Sequence, residues 1–180
     1  MSICGIILLI AAAVFIYIYN SLVIKRVRVE NFAAYVNGFF KRRVEILTEL
    51  LHLLPEHDSK EFLQVQALVD SYPVNAALEE KSIHDKVLTT AWKALHSQLA
   101  AAGNTPDPEV KKILERIERN GGYLATVRQE YNKAVSNPNN EIKVFPWSAL
   151  AKKMKISPRT PLEIPQDEWY KPLKLSNFRD

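Results

Sequence analysis

The chain opens on a run without a charged side chain, from Met1 to Ile24. Its centre, Ile3 to Tyr19, is almost continuous Ile, Leu, Ala, Val and Phe. A helix needs about 20 apolar residues to cross the roughly 30 Å hydrocarbon layer, so the run predicts a transmembrane helix over residues 1–24. Tyr17 and Tyr19 fall where an interfacial aromatic belt would lie. A cleaved signal peptide calls for a basic leading region and a short apolar stretch. Here no Lys or Arg precedes the run, and the run is too long. Cys4 reads as a small apolar residue of the span rather than a lipidation site.

Beyond the run, apolar residues recur at helical spacing. Val29, Ala33, Val36, Phe40, Val44, Leu47, Leu51 and Leu54 form one stripe with only Gly38 interrupting, so the membrane helix is expected to continue unbroken to Pro55. Residues 20–54 alone would reach about 50 Å at 1.5 Å per residue. Asp58 or Ser59 is a candidate cap for a second helix carrying Phe62, Val65, Leu68, Val69 and Tyr72. Asn75 is a candidate cap for a third, with Leu78, Ile83, Val87, Leu88, Ala91, Leu95 and Leu99, stopping near Gly103. Asp107-Pro108-Glu109 has the make-up of a helix start. The stripe that follows is Val110, Ile113, Leu114, Ile117, Leu124, Val127, Tyr131 and Val135. Gly121-Gly122 inside it predicts a kink, a close helix contact or a small loop. Pro158, Pro161, Pro165 and Pro172 forbid long helices further on, leaving Trp147, Leu150, Trp169, Tyr170, Leu173 and Phe178 to pack along the bundle. The expectation is an all-α protein. A transmembrane helix (1–24) continues into an antiparallel bundle of three to four long helices (25–157), followed by a Pro-rich extended tail (158–180).

Composition narrows the function. Lys and Arg number 24 against 20 Asp and Glu, a net charge of +4, too small to imply nucleic acid without a basic stripe interleaved with aromatics. A single cysteine excludes an intrachain disulfide and a cysteine-based zinc site. Lys25, Arg26 and Arg28 follow the apolar run at once, and Lys41, Arg42 and Arg43 lie beyond. The positive flank normally stays in the cytoplasm, which predicts a short outer N-terminus and a cytoplasmic domain. The same basic residues are candidates for anionic headgroups. Lys152, Lys153 and Lys155 form a second basic cluster, expected to be a solvated face.

Several blocks stand in a recognisable order. Tyr19-Asn20-Ser21-Leu22-Val23 follows the apolar run. Lys41-Arg42-Arg43 precedes Ile46-Leu47. Near the C-terminus stands Arg128-Gln129-Glu130-Tyr131-Asn132-Lys133-Ala134-Val135, then Asn139, Ile142 and Phe145-Pro146. This combination resembles the LemA family of bacterial membrane proteins. The two ends carry the resemblance, while the middle, roughly Pro55 to Pro108, is similar only in being helical. It implies a short outer N-terminus, one membrane helix and a domain of long antiparallel helices. It implies no established enzymatic activity. Some relatives belong to membrane compartments such as magnetosomes, which implies a membrane-organising or scaffold role. Pro138 replaces a usual aromatic and predicts an earlier break in the last long helix. The segment from Pro158 to Asp180 extends past the usual ending.

Candidate chemistry is sparse. His52 and His57 are five apart and straddle Pro55, outside the spacing of three or four that a helical metal pair needs. Glu56-His57-Asp58 reads as a solvated loop, and His84 and His96 stand apart. No Gly-x-Ser-x-Gly turn, Gly-rich phosphate loop or Walker motif is present. No catalytic residue, cofactor or metal is expected. Tyr131, Asn132, Phe145 and Pro146 read as structural: a core tyrosine, an inter-helix or capping asparagine, and a helix stop with an anchoring aromatic. The expected partners are the lipid bilayer and an unidentified protein or a second copy of the chain. The expected function is a membrane-anchored scaffold. The alternatives are a lipid-surface protein shaping a membrane compartment, and a bundle with a ligand site or active site between its helices.

Overall fold

The computed structural model describes residues 3–54, 59–101 and 107–163. Among these described residues five helices follow one another: α1 (Ile3–Leu53), α2 (Lys60–Asp70), α3 (Leu78–Ala101), α4 (Pro108–Glu141) and α5 (Trp147–Lys153). Among the described residues there is no strand. The chain is all-helical and packs as a bundle.

Helix α1 is unbroken over 51 residues. Its sequence has no proline, and Gly38 costs an exposed helix only about 0.5–1 kcal/mol relative to alanine. Ser59 caps α2, its hydroxyl accepting from the Phe62 backbone N–H at 3.2 Å. Asp58 lies outside the described residues, as do Gly103 and His57. Asn75 does not cap α3, which begins three residues later. Asn75 sits instead in the turn closed by the bond from Ala76 N–H to Pro73 C=O. Asp107 holds the start of α4, its Oδ1 accepting from Glu109 N–H at 2.8 Å.

The loop alternative at Gly121-Gly122 and the expected break at Pro138 are both corrected. Gly121 and Gly122 do not form a loop; both are buried within one continuous helix. Pro138 does not break it either. The missing N–H falls in the last turn, where one lost bond costs little, and Ile142 N–H still reaches Pro138 C=O at 3.0 Å.

The chain divides into two compact units. The first comprises Met1–Ala33 and Glu130–Pro161. Its core sets Ile18 and Leu22 of α1 against Leu150 and Ala151 of α5, with Ile142, Trp147, Met154 and Ile156 closing the sides. Helix α5 was not expected from the prolines around it. Pro146 occupies its cap position, where a fixed φ is tolerated, and the segment up to Pro158 is long enough for two turns. The second unit comprises Ala34–Gln129 and Leu162–Asp180. Its core gathers Ile46, Leu47 and Leu50 of α1, Phe62, Val65 and Val69 of α2, Leu88, Trp92 and Leu95 of α3, and Ile113 and Ile117 of α4.

The face of α3 departs from its apolar pattern. Ile83 and Val87 are exposed, at 67% and 45%, while Lys81, Ser82, Asp85 and Thr89 are buried. The first turns of α3 thus turn a polar face inward, and that face meets buried arginines. The tail residues 158–163 have no regular secondary structure. Leu162 is nonetheless buried, and Glu163 accepts from Lys86 at 2.8 Å. Trp169, Tyr170, Leu173 and Phe178 lie outside the described residues.

Candidate functional sites

The most unusual chemistry of the second unit is a buried charge cluster. Arg43 stands between Phe40 and Leu47 on α1, so the helix that buries those two also buries its guanidinium. Its Nη1 donates to Asp85 Oδ1 and Oδ2 at 3.1 and 3.0 Å, and to Thr89 Oγ1 at 2.7 Å. From α4, Arg128 Nη2 donates to Asp85 Oδ2 at 2.8 Å. The Arg128 guanidinium carbon lies 5.1 Å from the Phe40 ring centroid, within cation–π range. Thr89 Oγ1 donates in turn to the Asp85 C=O at 2.7 Å. Two arginines thus share one carboxylate, and the cluster carries a net positive charge. Burial pushes the Arg128 guanidinium below its usual range; Asp85 opposes that shift and Arg43 adds to it. The Nη groups of both arginines are held by Asp85 and the Phe40 ring covers Arg128, as in a structural lock. One signal for it stood in the sequence. Arg43 and Arg128 both sit at stripe spacing, Arg128 between Val127 and Tyr131. Asp85 had no such signal.

A second feature is an open groove of about 720 Å³ along α1 and α4. Tyr35, Gly38 and Phe39 line one side, Asn120 and Tyr123 the other, and Arg42, Arg116 and Arg119 the rim. Phe39 and Tyr123 stack with ring centroids 6.0 Å apart. Asn120 is buried, donates weakly to Phe39 C=O at 3.4 Å, and has no hydrogen-bond partner at Oδ1. Arg116 forks onto Glu49 at 2.7 and 2.8 Å, and this bond holds the Glu49 carboxyl below its usual range. Of these groove residues only Gly38 and Arg42 stand out in the sequence. The others lie on two distant segments, and no local pattern joins them.

Apart from Arg42, the remaining motif positions belong to the first unit. Tyr131 is buried and its hydroxyl donates to Thr160 C=O at 3.2 Å. Asn139 reads the backbone of Arg159 twice: Nδ2 donates to its C=O at 2.7 Å, and Oδ1 accepts from its N–H at 2.9 Å. Tyr131 and Asn139 therefore fix the path of the chain after α5. Val135 and Leu22 are buried, Ile142 packs on the α5 core, Val23 and Asn132 are half-buried, and Tyr19 and Asn20 are exposed. Arg42 is exposed beside Glu45 at 3.4 Å. Pro146 starts α5, and Phe145 is 79% exposed, so it does not anchor into the core of the unit. Of the basic residues after the apolar run, Lys25 pairs with Glu141 and Arg26 with Glu30, while Arg28 lies over the Phe32 ring.

Among the described residues no group of three His, Cys, Asp or Glu side chains is placed to hold a metal. His84 meets Tyr72 edge-on and His96 meets Trp92. Burial, with Asp85 nearby, raises the Tyr72 hydroxyl above its ordinary pKa. These are aromatic packing contacts rather than a relay to a nucleophile.

Among the described residues one helix, at the N-terminus, is long and apolar enough to span a membrane. That helix, continued into a helical bundle with charges locked inside, defines the class: a bundle protein with a candidate single membrane span. The LemA family model matches residues 31–176, most of the chain, and the chain belongs to the LemA family. No curated protein and no solved structure matches it.

Proposed function

We propose that the chain is a membrane-anchored helical scaffold without catalysis, and that its α1–α4 groove receives a segment of a partner protein. The observation that carries this reading is Gly38. A glycine in mid-helix costs stability, and here a Cβ built at Gly38 meets nothing within 4 Å. Packing within the chain therefore gives no reason for it. Close approach of a partner to the helix backbone does. Around it stand Tyr35, Phe39, Tyr123 and three arginines, the residue types that concentrate binding energy at protein interfaces.

A photo-crosslinking residue at Tyr35, in membranes of the native host, tests the groove. A discrete adduct is expected there and not with the same residue at Ser97, which is exposed on α3. Gly38→Trp should abolish the adduct while the helical circular dichroism is kept, and Gly38→Ala should raise stability by about 0.5–1 kcal/mol. Equal labelling at both positions, or an adduct indifferent to Gly38→Trp, rejects the groove as a docking surface.

The anchor is proposed to leave the N-terminus outside and the bundle in the cytoplasm, on the strength of Lys25, Arg26 and Arg28 after the apolar run. A tag placed after Asp180 should resist protease in intact cells and be cut in inverted vesicles. Cleavage from outside reverses the topology.

A further inference from the structure

The place where α5 packs is unexpected for a soluble bundle. Ile18 and Leu22 lie within the uncharged run that ends at Ile24, yet they are only 4% and 2% exposed. What covers them is α5, through Leu150 and Ala151, with Trp147 and Ile142 beside them. The first charge after the run, Lys25, pairs with Glu141 at the end of α4. From there the chain turns through residues 142–146 and enters α5 alongside Ile18 and Leu22. So the turn and α5 flank the last two turns of the apolar run.

That turn is not built like a water-facing loop. Val144 and Phe145 are adjacent, large and apolar, and are 59% and 79% exposed. Tyr17 and Tyr19 are exposed on α1 near the level of Ile18, and Trp147 is half-buried beside it. Two separate stretches of chain therefore place aromatic rings at one level, as at a membrane–water boundary. The charges agree. Between Glu141 and Glu163 the sequence carries Lys143, Lys152, Lys153, Lys155 and Arg159 and no acid. All five are exposed.

We propose that the α4–α5 turn and α5 form an interfacial membrane element: Val144 and Phe145 enter the boundary between headgroups and acyl chains, and Lys143, Lys152, Lys153 and Lys155 bind anionic lipid headgroups. The proposal rests on α1 crossing the bilayer. Ile142 and Trp147, on either side of the exposed apolar pair, pack against Ile18 and Leu22 of the apolar run, and the lysines complement the negative leaflet. Lys152, Lys153 and Lys155 are thus a lipid-facing cluster rather than a solvated one.

The full-length chain in proteoliposomes, made from zwitterionic lipid with and without phosphatidylglycerol, supplies the test. An environment-sensitive dye is placed at Ala149→Cys in a Cys4→Ser background, leaving Val144 and Phe145 intact. A dye at Ser97→Cys in the same background serves as the water reference, and a dye on native Cys4 reports the span. The Ala149 dye should emit to the blue of the Ser97 dye and be quenched by lipids spin-labelled near the headgroup. Val144→Asp with Phe145→Asp should return it to the Ser97 value, and Lys152, Lys153 and Lys155→Gln should remove the added effect of phosphatidylglycerol. If the Cys4 dye reports lipid but the Ala149 dye matches Ser97, the interfacial element is wrong and the anchor stands. If the Cys4 dye also reports water, the anchor reading itself fails.

Discussion

Replacing Asp85 with alanine is expected to unfold or nearly unfold the bundle, the largest effect of any single substitution outside the apolar core. Asp85 is the shared acceptor of Arg43 and Arg128, and all three are at least 95% buried. Removing it leaves two guanidinium groups facing one another without a counter-charge, since the Phe40 ring compensates only in part. Breaking a buried pair from one side costs about 3–5 kcal/mol, against a total stability of about 5–15 kcal/mol for a typical domain. Denaturant unfolding of the full chain in detergent, followed by circular dichroism, measures the loss. A triple replacement, Arg43→Met, Asp85→Leu and Arg128→Met, should restore most of it, because an apolar cluster of similar volume replaces a charge cluster at little or no net cost. If Asp85→Ala shifts stability by less than about 1 kcal/mol, a typical surface-pair contribution, the cluster is not the lock described.

The second large effect is expected at the anchor. Leu9 lies in the exposed part of the apolar run. An arginine there adds about 2.5–3.5 kcal/mol to the insertion free energy near a helix centre. Leu9→Arg should move a large share of the chain out of the membrane fraction on carbonate extraction, and Leu9→Phe should not. The second unit shares no residue with the substituted stretch, so its helical signal should persist in the released protein. Full membrane retention of Leu9→Arg would show that the apolar run is not what holds the chain.

Helix content and order were legible from spacing. The stripe Val36, Phe40 and Leu47 is buried as its period of three and four requires, and so is Ile113, Ile117, Leu124 and Val127. Helix starts were legible where a side chain meets its own backbone nearby, as at Ser59 and Asp107. Asn75 misled because a cap is defined by local geometry, and the turn after Pro73 took that residue. The exposed Ile83 and Val87 misled for a different reason. Hydrophobicity ranks residues one at a time, whereas burying Asp85 depends on two arginines more than 40 residues away in either direction.

By itself the sequence determined an all-helical chain, an apolar N-terminal run fit to cross a bilayer, and the family blocks at both ends. Each rests on local periodicity, on local composition or on short motifs. Only the tertiary structure decided that Arg43 and Arg128 share Asp85, that Asn139 holds the backbone of Arg159, and that α5 covers Ile18 and Leu22. It also left Phe145 exposed and opened the groove at Gly38. Those outcomes depend on which distant segments meet, and on whether a buried polar group finds a partner there. Spacing along one segment carries no record of either.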